Sequence, residues 1–521
     1  MHLSPHSLCQ LDRAYLAALD EAALRVLSVK LLEDLKEARD RLNQGPENSS
    51  RPPSSRAPWE RQSGELEPEP AEAKSVETQP VEAKAAEANV AEAKPVEAKA
   101  ARKAGKQTGA PGIGRTQVFQ AHEAQHHDPD VCAGYGQPLE RAGAVAYPGF
   151  QAVDLRWGDP ARPGLTLWGV DHRYDETPCA CGHRTCAEAG LGVVDPRLAG
   201  IKLSEWRWVG PGRAALIVAL ALRFRLSRAR IQAFLGEWLG LKLSIGTIHR
   251  TIHEASAGVA PAEEELIQAV LDSDLLPADE TSWPEQGQLL WLWVFTAATV
   301  TLSQVAGRGK ERVENVLDGF TGWLMSDGWV AYRDYLRRLR CWAHLIRKAR
   351  GLAQSCDREA RACGQLVLDT LVVLMAAVYA AREGPPPIDR PTPHAPRLAA
   401  VRTACERRQG SHHQKTPALA VELLNDWEAI FQVLSHPELP LTNNEAERAL
   451  RHWVILRQRC LGTRTEGSAR VFALLASVID TCRQRGHSPW RYLEHAIADR
   501  RANQPLAALP GRGCERLRGD W

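Results

Sequence analysis

The sequence lacks an excess of charge of either sign: Lys+Arg number 65 and Asp+Glu 63, a net charge of +2. That balance argues neither for nor against nucleic acid, so local clusters must decide. Also missing is any apolar run near the ~20 residues needed to span a bilayer. The longest, around Ala214 to Leu222 and Leu371 to Ala381, reach about half of that. The opening Met-His-Leu-Ser-Pro has no basic segment followed by a long apolar region, as a secretory signal would. A soluble cytoplasmic protein with no membrane partner is expected. The 12 cysteines are not packed into a small chain, which excludes a disulfide framework as the default.

A length of 521 residues predicts three or more units. Leu11 to Leu42 is helix-prone, with Leu24, Leu31, Leu35, Ala38 and Leu42 at the spacing of a coiled-coil seam. An oligomerising helix and a helix docked on its own domain both satisfy so short a pattern. Gln44 to Gly112 is low-complexity and carries Glu-Ala-Lys repeats, a spacer that buries nothing. The basic stretch Lys99 to Arg115 reads as a solvated charge run, with contact to DNA phosphate as the second reading.

Cys132 and the cluster Cys179-Ala-Cys181-Gly-His183-Arg-Thr-Cys186 offer thiolates and an imidazole suited to tetrahedral Zn²⁺. A full ribbon would have a second Cys-x-x-Cys, but the matching place reads Cys132-Ala-Gly-Tyr135. The ion would then borrow His126 or His127. A zinc site and an empty, hydrogen-bonded knuckle remain the two readings. From Pro211 to Ala257 three helices are predicted: an apolar one over Ala214 to Phe224, one capped by Ser227 and ending near Trp238, and one capped by Ser244. The Gly240 turn makes the last two a helix-turn-helix pattern. Ile245, Ile248 and Ile252 are expected to face inward, leaving Ser244, Thr247, His249 and Arg250 for groove and phosphate contacts.

Leu275 to Trp283 is an apolar run ending on Asp279 and Glu280, and it is followed by β-branched and Trp-rich strands across Leu289 to Val300. A helix to Leu317 and a strand ending at Asp327 follow, the start of a mixed α/β domain. Arg340 to Arg350 reads as a short strand passing into a basic helix, in which His344, Arg347, Lys348 and Arg350 could line a phosphate track. Leu352 to His436 reads as a helical insertion with a Pro-rich loop at Gly384 to Pro396. In Leu441-Thr-Asn-Asn-Glu445-Ala-Glu447-Arg448-Ala-Leu-Arg451, Thr442 and Glu445 have the spacing of a capping box. That leaves Glu447 to join Asp279 and Asp327, while Ala446, Leu450, Trp453 and Val454 form the apolar stripe. Carboxylate oxygen is what hard Mg²⁺ or Mn²⁺ prefers. Pro277 cannot donate to a ladder, so its strand must begin late or pair on one side only.

Ala278-Asp279-Glu-Thr-Ser-Trp283, Ser326-Asp327-Gly-Trp329, Cys341-Trp-Ala-His344 and the Asn-Asn-Glu-Ala-Glu447 stretch resemble, in order, the landmarks of bacterial insertion-sequence-66 family transposases. The likeness continues through Ala473 to Thr481 and Ser488 to Leu493, and upstream through the order of leucine helix, cysteine segment and helix-turn-helix.

The resemblance implies an acidic-triad (DDE) enzyme on a ribonuclease-H-like core, split by a helical insertion between the second Asp and the Glu. It implies Asp279, Asp327 and Glu447 as ligands of catalytic Mg²⁺ or Mn²⁺, and Cys132, Cys179, Cys181 and Cys186 as ligands of a structural zinc. DNA, as terminal inverted repeats and target, would be bound through Ser244, Thr247, Arg250, His344, Arg347, Lys348, Arg448 and Arg451. Self-assembly and accessory proteins of the same element are further expected partners.

The expected architecture is a multidomain α+β chain. It divides into a leucine helix (1–44), a linker (45–112), a zinc-ribbon-like segment (113–198) and a helix-turn-helix region (199–257). The core's first part (258–350), the insertion (351–436), the core's last part (437–482) and a helical tail (483–521) follow. The expected activity is cleavage of 3′ strands and their transfer to target DNA. The alternatives are a silent DNA-binding relative or a nuclease of the same fold.

Overall fold

The computed structural model describes residues 15–16, 18–42, 48, 119–159, 161–187, 209–384 and 391–511. The Glu-Ala-Lys linker, apart from Asn48, and the basic stretch up to Arg115 lie outside the described residues. The helix Glu21–Leu42 turns Leu24, Leu31, Leu35 and Ala38 to solvent. Its last turn is held by Asp40, which accepts hydrogen bonds from Ser355 Oγ and from the Cys356 N–H (2.9 Å).

Four strands make a first sheet: β1 (Glu123–His127), β2 (Val145–Asp159), β3 (Arg162–Pro178) and β4 (Arg184–Cys186). β3 is its spine, pairing in parallel with β1 and antiparallel with β2 and β4.

The helical region follows the cap residues closely. Ser227 accepts from the Arg230 N–H and opens the helix Arg228–Leu239, which Gly240 closes at φ 63°. Ser244 accepts from the Thr247 N–H and opens Ile245–Gly258. Two expectations need correction. The apolar helix is Pro211–Val218 continued by a π-helical turn, Ala219–Arg223, which absorbs one extra residue per turn. Ile245 is not inward but 46% exposed, because the first turn extends past the surface that buries Ile248 and Ile252.

The second sheet has the order β7-β6-β5-β8-β9. Its strands are β5 (Leu275–Glu285), β6 (Gln288–Ala297), β7 (Val300–Ala306), β8 (Trp323–Ser326) and β9 (Arg338–Arg340). Gln286 and Gly287, at φ 45° and 84°, make the two-residue turn whose twist suits the β5–β6 hairpin. β6 and β7 run antiparallel to their neighbours, while β8 and β9 run parallel to β5.

Pro277 determines how β5 is paired. Leu275 to Pro277 pair with β8, and Ala278 to Glu285 pair with β6. Proline has no N–H for a second neighbour, so one partner gives way to the other there. Asp279 therefore stands inside the strand, at the exchange of partners, and not at a strand end.

Apolar side chains form two cores. One contains Leu276, Leu324, Phe295, Leu450, Trp453 and Leu475. The other contains Met325, Leu339, Trp342 and the insertion. Leu324 and Met325 fall into different cores because successive strand residues face opposite ways. The helix Arg358–Glu383 is, by length and composition alone, long and apolar enough to cross a membrane. Its buried Ala360, Cys363, Val367, Leu371, Leu374 and Val378 recur every three or four residues, and most of them line the second core, which accounts for the composition. The expected Pro-rich loop is shorter than read: from Pro391 the chain is already helical, with Pro396 inside Pro391–Arg407.

The insertion is tied to the sheet edge by ion pairs. The fully buried Arg340 reaches Asp426 and Glu422 (2.5 Å), and Arg338 also reaches Asp426 (2.5 Å). Lys348 meets Glu422 at 2.7 Å. Desolvation pushes the Glu422 carboxyl up, but Lys348 and Arg340 outweigh it and hold the group below its usual range. Removing one partner of such a network strands the others in low dielectric. Asp426→Ala is expected to cost about 3–5 kcal/mol of unfolding free energy, read by urea denaturation.

Candidate active site

The register of β5 against β8 decides where two carboxylates meet. Pro277 is paired with Met325 in parallel. Two residues further on in each chain stand Asp279 and Asp327, carried to the same side by the two-residue period. Asp327 begins a tight turn in which its Oδ1 accepts the Trp329 N–H (2.8 Å). Gly328 leaves room there for the Arg340–Glu422 pair. A Cβ at that position would lie 2.5 Å from Arg340 Nη2 and 2.7 Å from Glu422 Oε1.

The third carboxylate arrives on the helix Asn444–Cys460, which lies along β5. Asn443, buried at its start, donates from Nδ2 to the Ala278 carbonyl (2.8 Å). Further along the helix, Arg457 Nη1 donates to Thr281 Oγ1 (2.8 Å) and to the Ser282 carbonyl. The Asn443 N–H donates to Cys341 Sγ (3.3 Å), and the Trp342 N–H to the Leu441 carbonyl (2.8 Å). Three motifs far apart in sequence are thus stitched together beside Asp279.

The expected capping box does not form. The helix starts at Asn444, the residue before it is Asn443, and no side chain caps it. Asn443 gives its amide to β5 instead, and Glu445 is exposed. Glu447, half-buried, faces the helix Trp342–Ala353, with its Oε1 3.9 Å from His344 Nε2 and 3.8 Å from Arg347 Nη2. Cys341, His344 and Glu447 offer ligand atoms within 4.8 Å of one another. Burial, reinforced by Arg347, lowers His344 to about 4, so its imidazole is neutral at pH 7. Its buried Nδ1 has no hydrogen-bond partner.

Electrostatics separate Asp279 from its neighbour Glu280. Glu280 accepts from Arg308 Nη2 (2.9 Å) and Tyr332 Oη (3.0 Å). Arg308 itself lies over the Trp291 ring (3.9 Å) and near Trp329 (4.7 Å). Asp279 has no such cation among the described residues; its Oδ1 accepts only the Glu280 N–H (2.9 Å). Desolvation, then Asp327 and Glu280, hold the Asp279 carboxyl well above its ordinary 3.8, and Glu447 adds to the rise. Such a set of oxygen donors, with repulsion uncompensated by the protein, fits a hard divalent cation.

The other predicted site residues are placed as follows. Cys132, Cys179 and Cys181 converge, with Cys132 Sγ 3.7 Å from Cys181 Sγ. Burial pushes the Cys132 thiol up, but the Gly134 and Tyr135 N–H groups and the neighbouring thiols outweigh it and bring it down to about 7. Cys186 is in β4, outside that group of three, and His126 and His127 are engaged elsewhere, with Asp175 (2.8 Å) and His172 (3.0 Å). His183 packs against Gly134, where a Cβ would come within 3.1 Å of its ring, and it is outside the group of three thiols. Ser244 and Thr247 hydrogen-bond each other at the helix cap (2.9 Å), leaving Arg250 exposed. Arg448 and Arg451 are exposed on the Glu447 helix, whereas Lys348 is paired with Glu422.

The contacts made by Asn443, Glu280, Arg308 and Cys341 were not foreseen from the sequence. The Asn443-Asn444 doublet was the visible signal for the first. Nothing local marked Arg308.

Because the raised Asp279 carboxyl is more easily protonated in the fold, its contribution to stability is full below about 3.8 and is lost as pH rises through the higher folded value. Relative to Asp279→Asn, the metal-free parent should therefore lose stability as pH rises above about 4. Asp279→Asn should melt a few degrees higher than the parent at pH 7.5 and gain less from added Mg²⁺, read by differential scanning fluorimetry.

Residues 207–471, just over half of the chain, match the family model described as Transposase IS66 family. Two proteins of Sinorhizobium fredii are similar. Uncharacterized protein y4qI is 25% identical over 262 residues, covering 44% of this chain and 49% of that protein. Uncharacterized protein y4jO is 27% identical over 174 residues, covering 32% of this chain and 51% of that protein. The chain thus spans about half the length of the curated relatives it matches.

Proposed function

Because the chain belongs to the IS66 family of transposases, we propose that it is a DNA transposase whose chemistry is carried by Asp279, Asp327 and Glu447. The sheet supports reading its core as ribonuclease-H-like: three antiparallel strands, then two parallel to the first, in the order β7-β6-β5-β8-β9. The observation that carries the proposal is the shared face of Asp279 and Asp327, with the Glu447 helix pinned to Ala278 through Asn443. Asp279 lacks a protein cation, unlike Glu280 beside it, which is why Asp279 and not Glu280 is assigned to the metal.

Two divalent ions at such a triad would activate a water or a DNA 3′-OH and stabilise the departing oxygen of an in-line phosphoryl transfer. The protein's own part is to hold the carboxylates where they repel. His344 and Arg347 position Glu447 from one side, and Asn443 positions its helix from the other. His344, neutral and facing Glu447, acts as a positioning residue.

DNA ends would lie on the helix Ile245–Gly258 through Arg250, and the strand near the triad along Arg448 and Arg451. The exposed stripe of the leucine helix is the proposed self-association surface, and Cys132, Cys179 and Cys181 with His183 the proposed zinc site. The unit boundaries read from the sequence, accessory proteins of the same element, and action on DNA in the bacterial cytoplasm belong to the same proposal.

The test uses purified full-length protein, end DNA and Mg²⁺. Asp279→Asn, Asp327→Asn and Glu447→Gln should each lose cleavage and joining while still binding ends. His344→Ala should lose about 10–100-fold in rate. Full cleavage by all three triad variants would sink the assignment; end binding without cleavage by the parent would mark a silent binding protein, and cutting without a joined product a nuclease.

A further inference from the structure

A second charged cluster lies on the Glu447 helix, outside the triad. His452 Nε2 meets the Leu222 carbonyl (2.9 Å), an acceptor only, so Nε2 carries the proton and Nδ1 accepts. Two guanidinium groups converge on that one lone pair: Arg225 Nη2 at 2.7 Å and Arg223 Nη1 at 3.3 Å. Each gives a single N–H group to the imidazole in these contacts. Arg225 Nε is buried with no partner. Among the described residues neither arginine forms an ion pair with a carboxylate. The nearby acid, Asp480, is engaged by Trp453 Nε1 (2.7 Å).

The backbone that brings them together is unusual. Arg223 ends the π turn, and Arg225 sits at φ 59°, a left-handed conformation costly for a long side chain. Between them Phe224 is 63% exposed. Burial and the proximity of Arg483 and Arg225 lower Arg223, and the nearby Asp480 offsets this only in part. Two crowded cations, a buried Arg225 N–H with no partner among the described residues and a strained backbone thus coincide at one place.

We propose that Arg223 and Arg225, held by His452, bind a backbone phosphate of a DNA strand lying along the Glu447 helix. The planar guanidinium fork matches a phosphate's paired oxygens. His452 follows Glu447 by five positions, about 7.5 Å along the axis and partway round it, and shares its face with Arg448 four positions before it. The exposed Arg448 and Arg451 lie on the same helix. The inference rests on the DNA-transposase reading, but it concerns backbone binding and not cleavage. Lodged between the Pro211–Arg223 region and the Glu447 helix, the phosphate would link DNA held by the helical region to DNA at the triad.

Binding is measured on full-length protein by fluorescence anisotropy, with a labelled duplex of unrelated sequence, EDTA and a salt series. Each phosphate contact contributes about 0.9 to the slope of log K against log salt. Arg223→Gln/Arg225→Gln should flatten that slope by about 1, and Arg223→Lys/Arg225→Lys, which keeps the charges, should restore it. An unchanged slope in the Gln pair overturns the proposal. So does equal flattening in the Lys pair, since the effect would then come from packing and not charge. Millimolar inorganic phosphate should displace the duplex more readily from the parent than from the Gln pair, because both anions would compete for the same guanidinium groups; equal displacement from both also overturns the proposal. EDTA keeps this readout apart from catalysis: a flattened slope alongside triad variants that still cut would leave the phosphate site standing and the triad fallen.

Discussion

The arrangement on which the rest depends is the placing of Asp279 beside Asp327 with no cation on Asp279. Burial, and after it repulsion from Asp327 and Glu280, hold the Asp279 carboxyl well above its ordinary range. A fold keeps such a pair together only if many other contacts over-determine it. Here they are identifiable. β5 and β8 are locked in parallel register, Asn443 ties the third motif to the Ala278 carbonyl, and the Leu441–Trp342 bond draws in the fourth.

Other acids near the site show by contrast what compensation looks like. Glu280 has Arg308 and Tyr332, Glu422 has Arg340 and Lys348, and Asp426 has Arg338 and Arg340. These pairs carry structure: they stiffen the turn after Asp327 and dock the insertion onto the sheet edge. Asp279 is left out of that scheme, which makes it the group to which an external cation adds most. The same criterion, charge without an internal partner, marks Arg223 and Arg225 as the complementary place for an anion. The proposed acidic and basic sites both border the Glu447 helix, which supplies Glu447 to one and His452 to the other.

Much of this was legible in order along the chain. Ser227, Gly240 and Ser244 announced their helix ends, because caps and left-handed glycines act through local hydrogen bonds and sterics. Pro277 foretold a strand pairing on one side at that point, because it lacks a donor. The apolar stripe of Ala446, Leu450 and Trp453 told which face of the Glu447 helix is buried. The capping box was misread since the same Thr-x-x-Glu spacing competes with whatever tertiary contact Asn443 can make, and the carbonyl of Ala278 won. Ile245 was misread because a periodic stripe says which way a residue points but not how far its packing partner extends.

By itself, then, the sequence determined the residue types and their spacing: two aspartates after apolar runs, a glutamate on a helix, and a long helical interval before it. These depend on neighbours a few positions apart, within the reach of caps, periodicity and turn chemistry. Only the tertiary structure decided which carboxylate keeps a cation and which does not, that Asp279 lies at an exchange of strand partners, and that Arg223 and Arg225 close on His452. Those outcomes are set by through-space distances between segments as far apart as residues 223 and 452. Solvation and Coulomb energy depend on such distances, which spacing along a chain does not encode.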